Sequence, residues 1–332
     1  MSQPLTPTQP QQDRSNARGG ALVAEAGIAG ERSCIVVVDK SAGMTSHDVV
    51  ARMRRIAGTR RVGHAGTLDP MATGVLVIGV GKATRLLGYL ALTEKEYLAT
   101  IRLGQSTVTD DAEGDVVPSP SGGHQRESAS TLGADELRTA LAELTGQIEQ
   151  VPPKISAIKI KGKRAYHLTR SGAAPDLAAR PVTVHCLDLL GVRQVSGRQD
   201  LLDIDVAVTC SSGTYVRAIA RDLGAALGTG GHLTMLRRTR VGPYEVSAAR
   251  TLDQLTEAFE MIPLAKAAGA AFPAMHLDAA QARLIAHGAR VQLAGGGGDP
   301  GTPIAAFGPD GTLVALISEE DGAMQPLAVF VP

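Results

Sequence analysis

The chain has 332 residues, with 33 basic and 33 acidic side chains, 44% hydrophobic and only 3% aromatic residues, and no tryptophan. That length fits about two domains with a sizeable core, and the balanced charge rules out net charge as a pointer to any partner. Three scattered cysteines, Cys34, Cys186 and Cys210, form no CxxC and exclude a disulfide scaffold or a structural zinc; with no apolar run near the roughly 20 residues of a membrane span and no signal-peptide pattern, a cytoplasmic protein without membrane contact is expected.

Residues 1–31, rich in Gln, Pro, Ser, Ala and Gly, read as a disordered extension. The β-branched run Cys34–Val38 then opens the ordered chain as a strand. DKSAGMT from Asp39 is a loop, and Thr45 or Ser46 caps a helix with His47–Ala57 as its body. Next comes GHAGTLDPMATG, a Gly-rich loop over Gly63–Gly74, followed at once by a buried strand at Val75–Val80. Tyr97–Leu103 alternates as a strand. A polar, Gly/Ser-rich insertion over 118–131 reads as a mobile loop. Asp135–Leu144 carries Leu137, Leu141 and Leu144 at helical spacing, and Pro152-Pro153 breaks the chain. Strands follow at Val182–Leu190 and Leu201–Val208, then a turn at Ser212-Gly213, a helix over Tyr215–Leu227 and a strand over Leu233–Arg240. Composition shifts near Phe272-Pro273. Beyond it a short helix (DAAQARLIAHG), a GGGG loop and three short strands at Ile304–Phe307, Leu313–Ile317 and Leu327–Val331 make a small, mostly β domain.

The Gly63–Gly74 loop is the most informative stretch. It places one carboxylate, Asp69, five residues after one imidazole, His64, at the edge of a strand. Asp-Pro is also a strong turn signal, because the Asp side chain bonds nearby amides and Pro fixes φ. On local chemistry alone, Asp69 is either a turn former or a carboxylate presented to a substrate. Other chemistries fail on spacing. A phosphate loop ending at Gly81-Lys82 needs Gly at Leu76 and Ser or Thr at Ala83, and a dinucleotide fingerprint needs Gly at Thr84. The eight histidines form no HExxH, and no GxSxG is present. Neither a cofactor nor a metal is expected.

Basic residues are bunched despite the neutral total. Arg52, Arg54, Arg55, Arg60 and Arg61 form one cluster. Lys154, Lys159, Lys161, Lys163, Arg164 and Arg170 form a second, and Arg237, Arg238 and Arg240 a third. One cluster alone reads as a solvated face. Three beside Gly-rich and aromatic motifs point to a polyanion, in particular a nucleic acid.

Six segments in this order resemble the TruB family of transfer-RNA pseudouridine synthases. They are DKSAGMTSHDVV from Asp39, GHAGTLDPMATGVLVIGVGKATR from Gly63, KEYLATIRLGQSTVTDDAEG from Lys95, VPPKISAIKIKGKRAYHLTRSG from Val151, SSGTYVRAIARDLG from Ser211 and LTMLRRTRVGPY from Leu233. The resemblance implies an α+β fold. A mixed β-sheet catalytic core flanked by helices spans 32–270, and a small, mostly β, PUA-like RNA-binding domain spans 274–332. It also implies conversion of uridine 55 in the T arm of tRNA to pseudouridine by a stand-alone monomer that needs no guide RNA, metal or cofactor.

The resemblance assigns roles residue by residue. Asp69 matches the catalytic aspartate, which can attack the sugar C1′ or the base C6 or take a proton from C2′. Arg217 matches the arginine that pairs with it. Tyr97 matches the tyrosine that stacks on the flipped base, its phenol a candidate for proton handling. His64 matches the histidine that fills the space the base leaves. Tyr215 and Leu236 match residues lining the uracil pocket. Lys40 fits a phosphate contact or an electrostatic role in the site, and Lys159–Arg170 a grip on the RNA backbone. Ala65 and Met71 stand at motif positions that vary in size among relatives. Two other readings remain: a non-catalytic RNA chaperone, against which stands the presence of Asp69, Tyr97 and Arg217, and a guide-dependent synthase acting on ribosomal RNA within a particle.

Overall fold

The first β-branched run is buried on both faces, and that sets the architecture. In the computed structural model, which describes residues 33–117, 128–153, 177–292 and 301–331 with the backbone of 159–160 and 163–164, strand β1 (Cys34–Lys40) pairs antiparallel with β3 (Thr73–Val80). Alternate side chains enter different cores. Cys34, Val36, Val38, Leu76 and Ile78 join a large cluster on one face, while Ile35, Val37, Val75 and Val77 join a second on the other. A strand covered on both sides needs no polar face, which is why VVV and VLVIGV lack alternation.

Ten strands form the main sheet. Its order is 262–263, β1, β3, 231–241, β4 (Lys95–Leu103), 198–210, 180–195 and 146–150, with β2 (Val62–Ala65) on β3 and 244–245 on 231–241. The sheet is mixed: β3 meets the Gly231–Val241 strand in parallel, and the other neighbours are antiparallel. At the parallel contact Arg238 stands beside Gly74. Gly74 has φ +96°, and a Cβ there would lie 2.1 Å from the Arg238 carbonyl oxygen, so no other residue fits.

The helices bury apolar stripes against the sheet. Helix α1 (Ser46–Ile56) buries Val49, Val50 and Met53. Thr45 is its N-cap in a capping box with Asp48, each side chain accepting the other's backbone N–H. Ser46, the other cap expected from sequence, is instead buried. A one-turn helix, α2 (Leu87–Leu90), packs below β2, and α3 (Ala134–Glu143) inserts Leu137 and Leu141 into the large core. Helix α4 (Val216–Ala226) adds Val216, Ile219, Ala220 and Leu223. The last residues form a separate four-stranded sheet, 274–276, 304–307, 313–320 and 323–329. Phe307, Leu313, Leu316 and Phe330 of this segment share the second core with Ile35 and Val37, within one compact unit from Arg32 to Pro332. Among the described residues no helix is long and apolar enough to cross a membrane.

Several sequence expectations shift. The Gly63–Gly74 segment is not all loop: β2 occupies its first part, so His64 sits on a strand paired with Ile78. Within the 118–131 insertion, Ala129–Thr131 is a 3-10 turn with Ala129 fully buried. The hairpin strands run longer than read, Arg180–Val195 and Arg198–Cys210, because their tips are polar and solvent-facing and lack an apolar pattern. The final strand is Ala323–Val329, starting four residues before the expected Leu327. Pro326 hid it; it sits at a register irregularity on an edge strand, where a missing N–H is tolerated. The 1–31 extension, most of the insertion, the Lys159–Arg170 side chains and the GGGG loop lie outside the described residues.

Candidate active site

The loop carrying Asp69 joins β2 to β3 and is tied down on all sides. The Ser46 hydroxyl accepts from the Leu68 N–H at 2.9 Å and donates to its carbonyl at 3.1 Å. Lys40, fully buried, donates to the carbonyls of Ser41, Met44 and Pro70 at 3.0, 2.7 and 3.1 Å. Arg238, 1% exposed, donates to Val75, Gly66 and Thr67 carbonyls at 2.7, 3.1 and 3.4 Å. The Asp-Pro turn closes through its backbone, Ala72 N–H to Asp69 carbonyl at 3.1 Å. The Asp69 carboxylate is therefore not used by the turn. The turn reading leaves the side chain available for another role.

That carboxylate meets Arg217 as a fork. Arg217 Nε lies 2.9 Å from Asp69 Oδ2, and its terminal nitrogen donates to Oδ1 at 3.1 Å. Contact with both carboxylate oxygens, one of them through a charge-assisted hydrogen bond, fixes the orientation of the acid. The guanidinium is itself held from behind, by the Thr109 carbonyl at 2.9 Å and the nearly buried Asp111 carboxylate at 3.4 Å. Arg217 comes from the first turn of α4, whose start is set by Gln150. This buried side chain accepts from the Tyr215 N–H at 2.7 Å and donates to the Tyr215 carbonyl at 3.1 Å. Because Tyr215 is the N-cap and makes no side-chain cap of its own, Gln150 supplies that anchor from the neighbouring strand.

Asp69 and Arg217 open into a cavity of about 350 Å³ that Tyr97, Tyr215 and Leu236 also line. Its size falls in the range of small-ligand sites. Tyr97 comes from β4 opposite Arg238 on the next strand. Its phenol is buried, and burial raises its pKa while the nearby Arg238 charge opposes that rise. The cavity thus combines an aromatic face, an apolar wall at Leu236 and one clamped carboxylate.

Five of the seven residues singled out from sequence share this cavity; Lys40 and His64 do not line it. With its ammonium buried against three carbonyls, Lys40 is not placed to touch a phosphate, which corrects that half of the expectation. It acts from beneath the loop, and burial lowers its pKa to about 8 even though Asp69 opposes the shift. His64 presents its ring edge to His47 at 5.7 Å between centroids, with Nδ1 buried and unpartnered. Burial, then His47 and Arg238, lowers its pKa, which favours the neutral ring.

The third basic cluster is corrected as well. Arg237 forks onto Asp39 at 3.0 and 2.7 Å, Arg238 is buried, and Arg240 pairs with Glu94 and Glu96. None of the three is left for a polyanion at the surface. Sequence reading missed Lys95 and Arg238 as cavity-lining residues. Strand periodicity held the signal: Lys95 is two residues before Tyr97, and Arg238 two after Leu236, so each shares a face with a recognised site residue. Among the described residues no group of three or more His, Cys, Asp or Glu is arranged to hold a metal.

Comparison with known proteins fits this geometry. A TruB family pseudouridylate synthase N-terminal domain matches residues 54–216, a tRNA pseudouridylate synthase B C-terminal domain residues 217–267, and a tRNA pseudouridine synthase II C-terminal domain residues 272–331. The tRNA pseudouridine synthase B of Thermobifida fusca is 57% identical over 297 residues, covering 89% of this chain and 98% of its own. This chain belongs to the TruB family. As a TruB-family member it is a pseudouridine synthase, an isomerase. The Streptomyces coelicolor tRNA pseudouridine synthase B is 56% identical over 298 residues, covering 89% of this chain and 96% of its own. Among solved structures, a chain of an H/ACA ribonucleoprotein bound to a substrate RNA containing 2′-deoxyuridine superposes with TM-score 0.65 at 26% identity, covering 90% of this TruB-family chain and 85% of its own. The archaeal box H/ACA Nop10–Cbf5 complex gives TM-score 0.65 at 26% identity, covering 91% and 87%.

Proposed function

We propose that this synthase converts uridine 55 in the T arm of tRNA to pseudouridine, acting alone, as a monomer, without guide RNA, metal or cofactor. The observation that carries the reading is the Asp69–Arg217 fork in a cavity walled by Tyr97, Tyr215 and Leu236. A uridine inside a folded loop must leave its stack to reach such a cavity, at a cost of a few kcal/mol. Stacking on Tyr97 returns roughly 1–3 kcal/mol. His64, on the strand leading into the Asp69 loop, is the residue proposed to fill the space left behind. In the isomerisation the N1–C1′ bond breaks and a C5–C1′ bond forms. The C5 proton leaves and N1 takes one up, so no external reagent is consumed. Asp69 supplies the carboxylate this rearrangement requires, oriented by Arg217. Support for tRNA over a particle-bound ribosomal RNA is the 57% identity to a tRNA pseudouridine synthase B across 98% of its length, against 26% for the H/ACA chains.

The proton balance provides the test. An unmodified T-arm stem-loop carrying tritium at uridine C5, incubated with the protein alone, is expected to release one tritium per stem-loop. No release from the stem-loop, with release only when a guide RNA is added, would overturn the stand-alone reading.

A further inference from the structure

The cavity carries a charge imbalance that the fork does not explain. Three cations line it, Lys95, Arg217 and Arg238, against the one carboxylate of Asp69. Arg217 is matched by Asp69, with Asp111 behind. Lys95 and Arg238 have no ion-pair partner among the described residues. Lys95, 6% exposed, donates to the Ala91 and Thr93 carbonyls at 2.9 and 2.6 Å, and Arg238 is held by three carbonyls and the Tyr97 phenol, none of them an anion. Carbonyl dipoles solvate a cation without cancelling its charge. The two cations also converge: a Cβ at Gly66 would stand 3.6 Å from both Arg238 Nη1 and Lys95 Cε. The cost is visible, since burial and then the Arg238 charge draw the Lys95 pKa down to about 8. Two like charges kept together in a partly buried cavity are placed to receive an anion.

The isomerisation supplies one. When N1–C1′ breaks, the bonding pair stays with the base, and its charge spreads over N1, O2 and O4. When C5 is joined to C1′ and its proton leaves, N1 is protonated and the charge is gone. We propose that Lys95 and Arg238 form a cationic wall that stabilises the uracil anion between detachment and reattachment. The inference rests on the uridine reading above. A phosphate of the flipped nucleotide would also suit two cations, but it carries its charge before, during and after the reaction. A phosphate contact therefore affects binding, whereas the anion exists only in the chemical step.

Lys95 is the variant to test, because Arg238 also holds the loop. Lys95→Met keeps the length of the side chain and removes the charge. Lys95→Arg restores a charge that does not titrate below pH 12. Single-turnover rates at saturating T-arm RNA are measured from pH 6.5 to 9.5, with stem-loop Kd and thermal melting in parallel. The groups facing Lys95 are Arg238, Cys210, Tyr97, Asp69 and Arg217. For Lys95→Met the rate at pH 7 falls about 10²-fold with Kd within twofold of the parent. Lys95→Arg recovers most of the rate. The parent rate declines as pH rises through about 8, where Lys95 loses its proton, and in Lys95→Arg that decline is lost, which separates it from titration of Lys40. A Lys95→Met rate equal to the parent's, or a loss confined to Kd, overturns the proposal. A parent without turnover on the stem-loop overturns the uridine-55 reading, and this inference with it.

Discussion

At the scale of single residues, the site depends on how its side chains are held. Asp69 leaves its turn to the backbone and gives both oxygens to Arg217. A lysine at 217 keeps the charge but loses the planar fork. Arg217→Lys is therefore expected to lower the single-turnover rate by about 10²-fold or more while stem-loop Kd changes little. Equal losses in rate and affinity would place Arg217 on a phosphate instead. Asp69 and Arg217 were legible only through the order of motifs, because local chemistry fits a turn and a helix-face charge equally well. The phosphate contact expected of Lys40 fails for a physical reason, while its electrostatic role toward the site stays open. A lysine in a loop reads as exposed, and nothing in DKSAGMT announces that three carbonyls converge on it.

At the scale of elements, strand and helix positions followed from periodicity where apolar faces meet a core. β1, β3, α1 and α4 stand within a few residues of their expected bounds. The hairpin tips, β2 and the last strand escaped, since polar, glycine-rich or proline-bearing strands carry no apolar alternation. Long-range ties were not legible at all. Ser46 looks like a helix cap, yet its hydroxyl is the pin on Leu68, next to Asp69. Ser46→Ala leaves the Leu68 N–H buried without its partner and is expected to cost about 1–3 kcal/mol. Chemical denaturation reads this as a lower midpoint at unchanged slope, accompanied by a lower kcat at unchanged KM. Gly74→Ala is the harsher change. It adds a Cβ 2.1 Å from the Arg238 carbonyl at a φ of +96°, and is expected to separate β3 from the Gly231–Val241 strand, lowering the Tm by well over 5 °C.

At the scale of the whole molecule, a neutral protein is proposed to bind a polyanion, so the placement of charge decides affinity. Arg54, Arg55 and Arg60 are exposed around the end of α1, whereas Arg237 and Arg240 are spent on Asp39, Glu94 and Glu96. RNA affinity is expected to fall steeply with salt, and Arg54→Ser with Arg55→Ser to lower the log–log slope by about one per cation removed. Arg237→Gln is expected to leave that slope unchanged while lowering the Tm. A run of arginines in sequence does not distinguish these cases, because the carboxylates that pair with Arg237 and Arg240 lie up to 198 residues away. The central claim is that Asp69, clamped by Arg217, drives the rearrangement of a T-arm uridine. Single-turnover tritium release from a C5-tritiated stem-loop, by the parent and by Asp69→Asn under matched RNA saturation, tests it most directly. The expected result is one tritium per stem-loop for the parent and none for Asp69→Asn, with both proteins binding RNA equally; release by Asp69→Asn at a rate near the parent's would contradict the account.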